Sequence, residues 1–149
     1  MSALKQKIAD DMHQAMKNRE AARLSTLKML LSAIGYAEMD KQRELTDDEV
    51  KAVLSKEVKQ HRESIAAYKQ GGREDLVEKE EGELKILLEY MPPQMSIEEI
   101  EAIVKAAIEA VGATGPSDKG KVMGKVMPQT RGKADGQEVN SIVDRMLSA

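Results

Sequence analysis

Met91-Pro92-Pro93-Gln94-Met95-Ser96-Ile97-Glu98-Glu99-Ile100, residues 91–100, divides the chain. A proline supplies no helix N–H, and each one pushes the residue before it toward extended geometry. Pro92-Pro93 therefore ends whatever helix precedes it. Ser96 followed by Glu99 then reads as a capping box, in which the hydroxyl accepts from a free backbone N–H and the carboxylate reaches back. A new helix begins there, with Ile97, Ile100, Val104, Ile108 and Val111 as its apolar stripe. The expected organisation is one domain over residues 1–91 and another over residues 96–149.

Upstream, apolar residues recur at helical spacing and no segment sustains an alternation of period two. Leu4, Ile8, Met12 and Met16 form one stripe, closed by the polar turn Lys17-Asn18-Arg19. Leu24, Leu27, Leu31 and Ile34 form the second. Thr46 with Glu49 is another capping box, opening a helix that carries Val50, Val53, Leu54, Val58, Ile65 and Tyr68. Gly71-Gly72 stops it and introduces a fourth helix with Leu76, Val77, Leu84, Leu87 and Leu88. Downstream, the run Val111–Pro116 ends the helix that Ser96 opened. A short helix from about Ser117 is expected to end at Pro128. Asp135 with Glu138 caps a last helix with Val139, Ile142, Val143, Met146 and Leu147. The fold class is all-α: an N-terminal four-helix bundle-like domain and a small C-terminal three-helix domain.

Composition narrows the function classes. The chain has 149 residues, 41% hydrophobic, so it is able to build a core. It has three Tyr and no Phe or Trp, so aliphatic side chains and ten Met must fill that core. Without cysteine there is no disulfide, no thiolate metal centre and no cysteine nucleophile. The nearly apolar run 29–37 falls far short of the ~20 residues that a membrane helix needs. The N-terminus shows no apolar signal core, and the expected location is cytoplasmic.

One segment breaks the overall acidic balance of 26 Asp+Glu against 23 Lys+Arg. From Lys119 to Lys133 there are five basic residues and no acid. Lys121 and Lys125 share one side of the short helix, away from Val122, Met123, Val126 and Met127. Gly120 and Gly124 lie one turn apart, at about 1 kcal/mol each relative to alanine, which implies close approach of another backbone or a ligand. The loop Thr130-Arg131-Gly132-Lys133-Ala134 adds two cations and a glycine able to take positive φ. The last helix's N-terminus is an anion-attracting end for which Asp135 competes. Together these form a phosphate-contacting surface without a base-reading code. Solvated lysines and glycines that admit a neighbouring helix are the alternative reading.

The block Gly120-Lys121-Val122-Met123, Met127-Pro128, Arg131-Gly132-Lys133-Ala134-Asp135-Gly136 and Val139-Asn140 resembles the end of the YqeY family. It also resembles the C-terminal tail of the B subunit of the tRNA-dependent Asp/Glu amidotransferase. The likeness extends to Leu88-Glu89-Tyr90-Met91-Pro92 and to Lys17-Asn18-Arg19-Glu20, covering essentially the whole chain. It implies an all-α protein whose tail region contacts tRNA away from any active site. Carried onto this sequence, Lys121, Lys125, Arg131 and Lys133 become backbone contacts, Gly132 and Ala134 allow close approach, and Asn140 adds a hydrogen bond or braces the loop. The resemblance also implies the label of a carbon–nitrogen ligase with glutamine as amide donor. This chain has no glycine- and serine-rich amidase segment and no phosphate loop for ATP, so no catalytic residue and no cofactor are expected of it. The expected role is a non-catalytic tRNA-binding accessory protein linked to aminoacyl-tRNA and amidotransferase metabolism. An amidotransferase or an aminoacyl-tRNA synthetase is its expected protein partner. A protein–protein adaptor in translation and a subunit of a glutamine-dependent ligase complex are the alternatives.

Two histidines complete the inventory. His61 follows Glu57 by one helical turn, a spacing that metal sites use, and His13 has Asp10 nearby. Zinc generally takes three or four protein ligands, so no metal site is expected. The acidic run 78–83 reads as a solvated helix face. The turn Lys17–Arg23 reads either as an extension of the basic surface or as a helix start.

Overall fold

The computed structural model describes residues 2–149. Among these residues there are seven α-helices and no strand, so the chain is all-α. They fall into two compact units, Met1–Met91 and Pro92–Ala149.

The first unit holds α1 (Ala3–Lys17), α2 (Ala21–Lys41), α3 (Asp47–Gln70) and α4 (Glu74–Leu88). Its core is built from Ile8, Leu27, Leu30, Ile34, Leu45, Val50, Leu54, Val58 and Leu87. The capping box at Thr46 and Glu49 forms in both directions. Glu49 also pairs with Arg43 at 2.7 Å and Lys41 at 2.9 Å, and the Arg43 guanidinium holds its carboxyl far below the usual range. Ser2 caps α1 by accepting from the Lys5 N–H, and its hydroxyl donates to Asp47 at the start of α3. The turns use left-handed φ at Arg19 (56°), Gln42 (55°) and Gly72 (69°).

The end of α4 is pinned to the first two helices. The Tyr90 hydroxyl donates to Asp11 at 2.6 Å, and Lys7 lies 5.1 Å above the Tyr90 ring. Arg23 bonds Glu89 at 2.7 Å and pairs with Glu20 at 3.5 Å. The Arg23 turn is thus a helix start engaged in ion pairs within the unit.

Two stripe positions differ from expectation. Ala15 is buried, whereas Met16 is 49% exposed. Relative to Ile8, Ala15 falls at about −20° around α1 and Met16 at about 80°, outside the stripe centred on Leu4, Ile8 and Met12. Likewise Ile97 is 52% exposed in the first turn of α5 while Ala107 is buried.

The second unit holds α5 (Ile97–Val111), a 3-10 turn (Pro116–Asp118), α6 (Lys119–Thr130) and α7 (Gly136–Ser148). Ile100, Val104, Ala107, Val122, Val126, Val139, Ile142, Val143 and Leu147 form its core. Ser96 accepts from the Glu99 N–H at 3.2 Å, but the Glu99 carboxylate accepts from the Ser96 hydroxyl (3.3 Å), so only half of the expected box forms.

Candidate functional site

The basic block is carried by α6 and the loop that follows it. Two glycines cost about 1 kcal/mol each and a proline up to about 3, so propensity alone does not sustain this twelve-residue helix. Full burial of Val122 and Val126, about 1.5–3 kcal/mol each, offsets that deficit. α6 therefore stands only as a docked helix, with one face committed.

The helix does not end at Pro128 but runs through it to Thr130. Pro128 removes a single bond, to the carbonyl of Gly124, and both residues are exposed, so water reaches that carbonyl. The last turn is tied by other means. Gln129 donates from its side chain to the Lys125 carbonyl at 3.1 Å, and the buried Thr130 hydroxyl donates to the Val126 carbonyl at 3.2 Å. Arg131 N–H reaches the Met127 carbonyl at 3.0 Å.

Burial of Val122, Val126 and Thr130 fixes what the opposite face presents. Gly124 and Pro128 lie within about 20° of the point opposite that stripe, and Gly120 within about 60°. Lys121 and Lys125 stand about 40° and 80° to one side of that point. Among the described residues of this unit, nothing outside the helix's own turns comes within 4 Å of where a side chain would begin at Gly120 or Gly124. Within this unit, then, the two glycines admit no neighbouring helix. The outer face of α6 presents the backbone at Gly120 and Gly124 and the ring of Pro128, with two lysines along one side.

The loop after α6 is built rather than slack. Lys133 and Ala134 N–H both reach the Thr130 carbonyl, at 2.9 and 3.1 Å. The Met95 N–H donates to the Lys133 carbonyl at 2.8 Å, and the Gln94 side chain donates to the Gly132 carbonyl at 3.1 Å. Gly132 takes φ 78°, a left-handed conformation that favours glycine. The backbone carbonyls of the loop thus turn onto the segment that opens this unit, while Arg131 and Lys133 project as exposed side chains. Asp135 caps α7 by accepting from Gln137 N–H at 3.1 Å, so it occupies one of the anion-attracting donors there. Asn140 is half-buried and its side chain makes no hydrogen bond among the described residues, so it does not brace the loop in that way.

Charge pairing sorts the cations. Lys119 pairs with Asp144 at 2.9 Å and Arg145 with Glu101 at 3.0 Å. Lys121, Lys125, Arg131 and Lys133 form no ion pair among the described residues. The Thr114 N–H, with Lys121 adding to it, holds the Asp118 carboxyl below its ordinary value. In this unit no three His, Asp or Glu side chains bring ligand atoms together among the described residues.

The sequence pattern that defines the YqeY-like proteins matches residues 5–147, spanning both units and the whole basic block. The chain belongs to the YqeY-like family. A relative from Pyrenophora tritici-repentis, named altered inheritance of mitochondria protein 41, mitochondrial, is 30% identical over 142 residues. That match covers 93% of this chain and 78% of the relative. A protein of the same name from Kluyveromyces lactis is 36% identical over 130 residues, covering 85% and 68%. An uncharacterized protein of Schizosaccharomyces pombe is 37% identical over 82 residues, covering 55% and 67%. No helix among the described residues of this YqeY-like chain is long and apolar enough to cross a membrane.

Proposed function

We propose that this YqeY-like chain is a non-catalytic accessory protein that binds tRNA through α6 and the 131–134 loop, in aminoacyl-tRNA metabolism. The observation that carries the reading is the sorting of charge: four exposed cations without ion-pair partners among the described residues lie on α6 and its loop, beside open backbone at Gly120 and Gly124. Phosphates are read by such cations at close range, and bare helix backbone lets a ribose-phosphate chain lie near the helix. Lys121 and Lys125 supply attraction that is independent of sequence. Arg131 and Lys133, on a loop fixed by its own hydrogen bonds, set the register on one RNA shape, with Gly132 and Ala134 keeping the approach open. Asn140 adds an amide next to this surface. The proposed setting is the cytoplasm, where charged tRNA and its amidating and synthetase enzymes meet; the relatives are named mitochondrial.

A second reading has its own observation. Met29, Tyr36 and Met39 on α2 are 37%, 69% and 73% exposed and fall within about 80° of arc. Such a face suits an adaptor docking on a translation enzyme. Capture from lysate with the tagged full chain separates the two readings. The tRNA reading predicts recovery of tRNA, and loss of co-purifying synthetase or amidotransferase on RNase treatment. Protein partners that survive RNase, with no tRNA recovered, would favour the adaptor.

A further inference from the structure

His61 belongs to the buried stripe of α3, and its side chain is 7% exposed. Its Nδ1 lies 2.9 Å from the Glu57 carbonyl. A carbonyl only accepts, so Nδ1 carries a proton and donates it there. Nε2 is then the atom turned toward α4, where Glu83 Oε2 stands at 3.0 Å and Glu80 Oε2 at 3.5 Å. The two glutamates are three residues apart and share one face of α4. Glu57, the partner that sequence spacing suggested, contributes its backbone carbonyl.

Every buried polar side-chain atom among the described residues has a hydrogen-bond partner, so the case for a metal rests on three ligand-type atoms gathered in one place. With Nε2 protonated, its one N–H serves one carboxylate, Glu83, and two carboxylates face a single positive charge. With Nε2 unprotonated, a lone pair faces two anions. A divalent cation resolves both cases, because neutral imidazole and two carboxylates balance its charge. The two spacings to Nε2 also fit. Ligands about 2.0–2.2 Å from a zinc ion stand roughly 3.0–3.5 Å from one another. The three ligand atoms lie within 4.8 Å of one another, and the two carboxylates reach Nε2 at 3.0 and 3.5 Å.

We propose that His61, Glu80 and Glu83 form a site for one divalent transition-metal ion that clips α3 to α4. The Nδ1–H bond to the Glu57 carbonyl is the outer contact that orients a ligating histidine. Imidazole favours zinc and its neighbours over magnesium or calcium. Glu80 and Glu83 are each 20% exposed in their side chains, which leaves an entry path and room for water as a further ligand.

Isothermal titration of the chelator-stripped full chain with Zn²⁺, and separately with Mg²⁺, tests this site. One zinc per chain should bind saturably, and the Tm should rise by about 5 °C or more at zinc well above its Kd. Glu80→Gln and Glu83→Gln should each weaken zinc about ten-fold or more, with metal-free helicity unchanged. These variants carry the test because His61 is buried and its replacement disturbs the core directly. Absence of saturable zinc binding by the parent, or undiminished binding by both variants, would overturn the site. An equal response to magnesium would overturn the metal class.

Discussion

At the scale of single residues, the most informative contact is Tyr90 with Asp11. Burial pushes the Tyr90 hydroxyl well above its ordinary value, and the bond to Asp11 pushes it further. Burial pushes the Asp11 carboxyl up, but the Tyr90 and Lys7 bonds outweigh it and hold it below 3.8. A hydrogen bond to a charged group contributes about 1.5–3 kcal/mol, and partial exposure of Asp11 lowers the figure here to about 1. Tyr90→Phe should therefore destabilise the chain by about 1 kcal/mol at neutral pH, read by urea unfolding. The sign with pH follows from the depressed carboxyl: its stabilisation is complete well above 3.8 and fades as pH falls through the lower folded value. The gap between parent and variant should narrow below pH 3.8. A gap that widens in acid would show that the contact stabilises the chain in some other way.

At the scale of elements, the helices were legible wherever large aliphatic residues kept the 3.6-residue period. Thr46-Glu49 and Gly71-Gly72 placed the boundaries of α3 closely, since a cap and a left-handed glycine, here Gly72, act locally. The misses have physical causes. Ala15 and Ala107 carry too little apolar surface to mark a core, and His61 is polar although it sits on the buried stripe of α3. Pro128 announced an end that tertiary packing of Val126 and Thr130 overrode. Lys121 and Lys125 were legible as a surface pair. The placement of Gly124 near the centre of the exposed face, with Gly120 toward its edge, was not, because it depends on which residues of α6 are buried. That placement yields a sharp expectation. Gly124→Ala meets nothing within 4 Å, so it should stabilise the C-terminal unit by about 1 kcal/mol, read as a higher Tm. If the open backbone at the glycines admits RNA, the same variant should bind tRNA more weakly. Higher stability with unchanged tRNA binding would remove the glycines from the proposed interface. Gly132 does not offer the same test: at φ 78° any side chain strains the loop itself.

At the scale of the whole molecule, a chain of net charge −3 keeps four cations, without ion-pair partners among the described residues, on one helix and the loop after it. In the proposed tRNA reading, an acidic remainder would repel RNA from other faces and orient the encounter toward the basic one. Attraction to phosphates displaces condensed counterions, so the proposed binding should weaken steeply with salt. The decisive measurement is filter binding of bulk tRNA across a salt series, for the parent and for Lys121→Ala with Lys125→Ala, with helicity checked by circular dichroism. The account predicts a folded double variant with weaker binding to every tRNA and a log–log salt slope shallower by roughly 1.4–1.8, the contribution of two phosphate contacts. A double variant that binds as tightly as the parent at low salt, with the same slope, would contradict it and return the basic block to ordinary solvated surface.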